Sequence, residues 1–388
     1  QNYYVYLGFK SQIMIVRSQL EYAQQRLFKG KALLIFGPRQ AGKSTFAEQL
    51  IAQNKKKKAL YLNGDDDDTH DLLSKPNGTK LRNIIGKNEI LFIDEAQRIK
   101  NIGIVLKIII DQIKTVQVVA TGSSAFELAN KTNEPLTGRK YEMQLLPFSF
   151  GEISNEYGLL ETKRQLEQRL IYGSYPEIIT HPTEAEEHIK LLANSYLYKD
   201  LFRLEQISKP TLLEKIVKAL ALQVGSEVNY NELSQLVQAD NKTIEKYIDL
   251  LEQAFVVFKL PALSGNVRNE IKKGKKIYFY DNGIINAITG NFLPLHKRTD
   301  VGHLWENYVV SERKKYLAQN NLDSKTYFWR TIQQQEIDYI EQRNQKTLAV
   351  EIKWNPKAKI HFSSTFTQNY KNTKEIIVTP ENIEDFLL

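Results

Sequence analysis

The chain has 388 residues, 42% hydrophobic and 25% charged, with a net charge of +8 and no cysteine. This is the composition of a globular protein of two or three domains, and it excludes disulfides and thiolate metal sites. No run of about 18 apolar residues is present, which argues against a membrane helix.

The absence of cysteine fits a reducing, cytoplasmic setting. The opening QNYYVYLGFKSQI has no signal-peptide pattern, and Met14 reads as a natural start, with residues 1–13 an upstream extension. The charge is uneven: residues 1–150 hold 22 Lys/Arg against 14 Asp/Glu, and residues 151–264 hold 12 against 17. A basic balance permits nucleic-acid contact without requiring it. The runs Lys55–Lys58 and Asp65–Asp68 read as solvated loops.

Ala32 to Phe36 is a short apolar run, expected to form a buried parallel strand. It leads into Gly37, Pro38, Arg39, Gln40, Ala41, Gly42, Lys43, Ser44 and Thr45, a match to G-x-x-x-x-G-K-[ST]. A helix with Phe46, Leu50 and Ile51 on one side follows. In that order the glycines let backbone N–H groups surround phosphate oxygens at the positive end of a helix. Lys43 would reach the β- and γ-phosphates of ATP, and Ser44 would ligate Mg²⁺. A second apolar strand ends in Asp94 and Glu95. Ligands collect at the carboxyl ends of parallel strands, so Asp94 is expected in the Mg²⁺ shell and Glu95 as the base that polarises water. The adjacent Glu points to a hydrolase rather than a kinase. The strand Val116–Thr121 ends at Ser123 and Ser124. Either hydroxyl can sense a γ-phosphate, with Ser123 preferred; a helix N-cap for the following AFELAN is the alternative. Arg139 is a candidate arginine finger, acting in cis or on a neighbouring subunit. Arg39 and Arg98 compete for that role, and an ordinary surface arginine is the alternative reading.

The motifs GPRQAGKST, LFIDEAQRI, ATGSSAFEL, LTGRKYEMQLLPFSFGEI and YGSYPEII, in that order, resemble a family of prokaryotic AAA+ (P-loop) ATPases. The resemblance runs from about Met14 to the C-terminus. It implies an α/β P-loop ATPase domain, a winged-helix region and a C-terminal domain of poorly defined function with a restriction-endonuclease-like fold.

From Glu161 the pattern becomes helical, with Ser195–Ile207 expected as a long helix. The segments LLEKIVKALALQV, NELSQLVQ and NKTIEKYIDLLEQA read as three helices before the strand VVFKLP, as in a winged helix-turn-helix, with Asn241 as an N-cap. The presumed recognition helix carries Lys242 and Lys246 against Glu245, Asp249 and Glu252. It offers little phosphate neutralisation, so packing or protein contact is preferred to DNA reading there. The turn Arg268–Lys276 is the better electropositive candidate, and an exposed turn is its alternative.

The last segment parses as α-β-β-β-α-β, the core order of restriction-endonuclease-like folds. Asp338 and Glu351 fall on neighbouring strands and are candidate ligands for a divalent metal. Lys353 shares a face with Glu351, because strand side chains alternate. Glu306, on the first helix, would complete the metal shell. The alternative is an alternating edge strand whose charges face water. Asp281 reads as a turn or cap residue. The expected division is residues 14–155, 156–295 and 296–388. The expected activity is Mg-ATP hydrolysis coupled to a nuclease-like domain acting on DNA or RNA. The alternative is an ATP-driven switch whose C-terminal domain binds a protein partner or a second copy without cleaving anything.

Overall fold

A computed structural model describes residues 15–123, 136–195, 209–263, 274–331, 333–358, 362–370 and 372–388. Strands β1 (Ala32–Phe36), β2 (Ala59–Asn63), β3 (Ile90–Asp94), β4 (Gln117–Gly122) and β5 (Lys140–Gln144) form an all-parallel sheet in the order β2-β3-β4-β1-β5. Its central strands are buried at every position, as parallel strands with helices on both faces must be. Alternation along β1 divides the core. Leu33 and Ile35 pack with Phe46, Ala47 and Leu50 of the helix Lys43–Ala52. Leu34 and Phe36 belong to the other face, with Ile102, Leu106 and Ile109 of the helix Ile102–Gln112. All five strands point the same way, so the residues following β1, β3 and β4 converge on one edge. β4 lies between β1 and β3 and brings its own end between theirs.

The middle part holds helices Pro210–Leu222, Tyr230–Val237 and Asn241–Gln253. Strands β6 (Glu227–Val228), β7 (Val257–Pro261) and β8 (Lys275–Phe279) form an antiparallel sheet in the order β6-β8-β7. The expected cap Asn241 is the first helical residue. Asp240 is the N-cap, because its carboxylate reaches the Thr243 N–H at 2.9 Å. Asp281 caps the helix Asn282–Thr289 through the Gly283 N–H (2.8 Å). Ser124, residues 196–207 of the expected long helix, and Arg268–Lys273 of the basic turn lie outside the described residues.

The C-terminal part runs helix Val301–Gln319, β9 (Lys325–Arg330), β10 (Glu336–Arg343), β11 (Lys346–Ile352), helix Ser364–Asn369 and β12 (Thr373–Val378). The sheet order is β12-β11-β10-β9, antiparallel except for β11 with β12. This is the expected α-β-β-β-α-β order. β11 stops at Ile352, yet the Lys353 N–H still donates to the Val378 carbonyl (3.0 Å) and carries the ladder one residue further. The two smaller sheets touch where the Leu263 N–H donates to the Phe328 carbonyl (2.7 Å).

Helix Val301–Gln319 buries apolar and polar residues alike, from Leu304 and Trp305 to Glu312 and Lys315. A helix covered on all sides belongs to a core, and one apolar cluster runs through all three parts. No helix among the described residues is long and apolar enough to cross a membrane.

Candidate functional site

The phosphate loop leaves β1 at Gly37. A Cβ there would lie 2.0 Å from the Leu145 carbonyl oxygen, so the backbone just past β5 leaves room for hydrogen only. Gly42, at φ +86°, is the N-cap of the helix Lys43–Ala52, a conformation costly to residues with a Cβ. Lys43 Nζ donates to the Gly37 (3.1 Å) and Pro38 (2.8 Å) carbonyls and so lies along the loop. Ser44 Oγ donates to Asp94 Oδ2 at 2.7 Å. Thr121 Oγ1 donates to Asp94 Oδ1, and Tyr61 OH to Oδ2 at 3.2 Å. Glu95, at φ +47°, donates its N–H to Thr121 Oγ1 (3.1 Å). Ser123 Oγ donates to Glu95 Oε2 (3.1 Å), and Gln97 Nε2 bonds both of them.

Ser44, Asp94, Glu95 and Ser123 are thus brought together around the loop. Two hard oxygens at a helix start beside a lysine fit a Mg-nucleotide in donor type and charge. Glu48 feels the same carboxylate: burial, then the charge of Asp94, raises its affinity for a proton. The same two causes raise that of the Tyr61 hydroxyl.

Arg139 is not part of this group. Register pairs Ala32 with Lys140 and Phe36 with Gln144. Arg139 therefore sits at the amino end of β5, roughly 15 Å along the strand from the loop. Its Nε is paired with Asp111 (2.7 Å). Within one chain it stands at the opposite end of the strand from the loop, which argues against a cis role. Arg98 follows Glu95 directly in the fold and pairs with Asp65 (3.4 Å).

Sequence reasoning missed Thr121, Tyr61, Gln97 and Arg17. The first and third had a signal, since each lies two residues from a named site residue. Arg17 had none. Its buried guanidinium donates to the Ala41 carbonyl inside the loop, to Leu146 O (3.0 Å) and to Glu152 Oε2 (3.1 Å). It also stacks 3.9 Å from the centre of the Phe148 ring.

A second charged group lies between the middle and C-terminal parts. Lys353 Nζ is 2.8 Å from Asp338 Oδ2 and 2.8 Å from Glu351 Oε2. The Ile352 N–H also donates to Asp338 Oδ2 (2.8 Å). Burial, then the Asp338 charge, pushes the Glu351 carboxyl up to about 7. Burial works against the Lys353 ammonium, but Asp338 and Glu351 outweigh it and hold the proton more tightly than usual. The expected third ligand, Glu306, is engaged elsewhere. It accepts from Tyr278 OH (2.6 Å) and from the buried Lys276 Nζ (3.0 Å), and Lys276 also meets Glu336 at 2.6 Å. Among the described residues, no three His, Cys, Asp or Glu side chains converge as a metal cage. On the presumed recognition helix, Lys259 binds both Asp249 and Glu252.

Residues 29–154 match the family model of an AAA domain. The first part of the chain is a P-loop-like, parallel-sheet domain similar to AAA ATPases. Residues 163–294 and 301–386 match two domains of unknown function, DUF8612 and DUF4143. An uncharacterized protein of Mycobacterium tuberculosis is 24% identical over 335 residues, covering 85% of this chain and 72% of that protein. One from Haemophilus influenzae is 26% identical over 311 residues, 76% of this chain and 72% of its own. Among solved structures, domain III of the Thermotoga maritima replication initiation protein DnaA aligns with a TM-score of 0.29 at 16% identity, covering 58% of this chain and 93% of that one. The Pif1 helicase from Candida albicans aligns with a TM-score of 0.28 at 15% identity, covering 46% and 48%.

Proposed function

We propose that the chain is a Mg²⁺-dependent ATPase of the cytoplasm that acts as a switch on its own C-terminal part. The observation that carries the reading is the Ser44–Asp94 hydrogen bond beside Lys43, with Glu95 two bonds away through Thr121. In this reading the loop N–H groups and Lys43 hold the β- and γ-phosphates. Ser44 and Asp94 are the residues that would hold Mg²⁺, which offsets phosphate charge when bound. Glu95 accepts the proton of the attacking water. Ser123 and Gln97 hold the Glu95 carboxylate until a γ-phosphate competes for the Ser123 hydroxyl.

The switch is supported by buried polar ties leading away from the loop. Arg17 links Ala41 to Leu146 and Glu152. Glu152 forms a capping box with Ser149 at the start of helix Phe150–Tyr157. The next residue, Phe150, donates its N–H to Glu312 on helix Val301–Gln319 (2.6 Å), and Lys315 of that helix reaches the Phe148 carbonyl (3.2 Å). The reading takes 14–155 as the ATPase, 156–295 as a helical and winged-helix region, and 296–388 as a restriction-endonuclease-like domain that binds a partner. Arg139, if a finger, then serves a neighbouring copy.

The grouping of Asp338, Glu351 and Lys353 favours a second reading, ATP-gated cleavage of DNA or RNA. One experiment addresses both. ATP hydrolysis and Mg²⁺- or Mn²⁺-dependent cleavage of DNA and RNA are measured for the wild type, Lys43→Ala, Glu95→Gln and Lys353→Ala. The switch reading expects hydrolysis lost in Lys43→Ala, reduced about 10²–10⁴-fold in Glu95→Gln, and no cleavage in any sample. Hydrolysis that survives Lys43→Ala would overturn the ATPase. Cleavage lost in Lys353→Ala would establish the second reading.

A further inference from the structure

A restriction-endonuclease-like reading of the C-terminal part would put a divalent metal on Asp338 and Glu351, and the residues around them do not fit one. Both carboxylates are already bridged by Lys353 at 2.8 Å. The third expected ligand is held by Tyr278 and Lys276. Lys276 is 2% exposed and lies against Glu306 and Glu336. Burial works against its charge, but Glu306, Glu336 and Asp338 more than compensate, so it stays an ammonium. Arg330 approaches Glu336 from the rim at 3.7 Å, and Glu227 of β6 at 3.8 Å. Five carboxylates, four of them in the C-terminal part and Glu227 at the rim, thus meet three cations.

We infer that this cluster is a lysine-bridged joint between the middle and C-terminal parts, with Lys276 and Lys353 supplying the positive charge that a metal would supply in a nuclease. Lys276 and Tyr278 come from β8 of the middle part, and Glu306, Glu336, Asp338 and Glu351 come from the C-terminal part. The cations are covalently part of the chain, so they are present at full occupancy whatever the metal concentration. A buried acid stripped of its cation carries a large desolvation cost. The pairing therefore holds the two parts in register while the ATPase works, and the inference rests on the switch reading.

The test is Mn²⁺ binding to the nucleotide-free full chain at pH 7.5, read from the free-ion electron paramagnetic resonance signal. The samples are wild type, Asp338→Asn, Lys276→Gln and the double variant. Wild type and Asp338→Asn are expected to bind Mn²⁺ alike, any ion at Asp94 being common to both. Lys276→Gln is expected to gain a site at least tenfold tighter than anything in this region of the wild type, lost again in the double variant. A wild-type site that disappears in Asp338→Asn would overturn the inference, as would a folded Lys276→Gln with no gain. If Lys276→Gln does not fold, Lys353→Gln opens the other side of the cluster and is read the same way. ATP hydrolysis on the same samples keeps the two ideas apart: intact hydrolysis with an Asp338-dependent Mn²⁺ site sinks the joint and leaves the ATPase standing.

Discussion

Replacing Arg17 with Met should destabilise the AAA domain and loosen the phosphate loop together. The guanidinium is 4% exposed and donates to three acceptors, one of them the buried Glu152 carboxylate. Removing one partner of a buried ion pair costs about 3–5 kcal/mol, because the other charge stays desolvated. Glu152 keeps the Ser18 and Ser149 N–H groups, each at 3.0 Å, so the low end, about 3 kcal/mol, applies. For a domain of this size that corresponds to a fall in Tm of roughly 6–12 °C. The Ala41 carbonyl also loses its anchor. A hydrogen bond worth about 1–1.5 kcal/mol to the ordered loop should weaken nucleotide binding by roughly tenfold. Thermal unfolding followed by circular dichroism and titration with a fluorescent ATP analogue read the two effects. Glu152→Gln and the Arg17→Met/Glu152→Gln double variant complete a cycle, with an expected coupling of about 2 kcal/mol. A Tm change under about 2 °C in Arg17→Met, or additive losses in the double variant, would refute the argument.

Three further outcomes are expected. Gly37→Ala forces the loop off the Leu145 carbonyl, since its Cβ would lie 2.0 Å from that oxygen; nucleotide affinity should fall more than tenfold, and near-wild-type binding by calorimetry would show that the loop can shift freely. Arg139→Ala should leave hydrolysis by dilute protein unchanged, because its partner is Asp111 at the far end of β5; a loss that does not depend on protein concentration would contradict that placement. The third concerns pH. The Glu351 carboxyl titrates near 7 when folded, against an ordinary 4.5, so the folded chain holds a proton that the unfolded chain has released. Stability from this group is therefore greatest below pH 4.5 and declines as pH rises to about 7. Glu351→Gln should remove that decline, on the order of 2 kcal/mol after allowance for contact with water. Urea midpoints at pH 4.5, 6 and 7.5 would measure it, and parallel profiles for the two proteins would count against it.

What the sequence determined by itself is local. The phosphate loop is contiguous from Gly37 to Thr45, and its chemistry depends on neighbours along the chain: a strand before it, glycines for the turn, a helix after it. The same holds for Asp94 and Glu95, which need only an apolar strand ahead of them, and for the α-β-β-β-α-β order, which follows from periodicity. Tertiary structure decided the rest, because the remaining interactions join residues that no local pattern relates. Sheet order put β4 between β1 and β3, and the parallel pairing of β5 with β1 left Arg139 at the end away from the loop. Arg17 meets Leu146 across 129 residues, and burial of both groups makes that contact matter. The Glu351-x-Lys353 pattern suggested a metal site completed by Glu306, but nothing in it pointed to Lys276, which meets Glu306 across 30 residues from a strand of another sheet than that of Glu351. A charge pattern in sequence names the acids; only packing shows which cation neutralises them, because that depends on distance and exclusion of water.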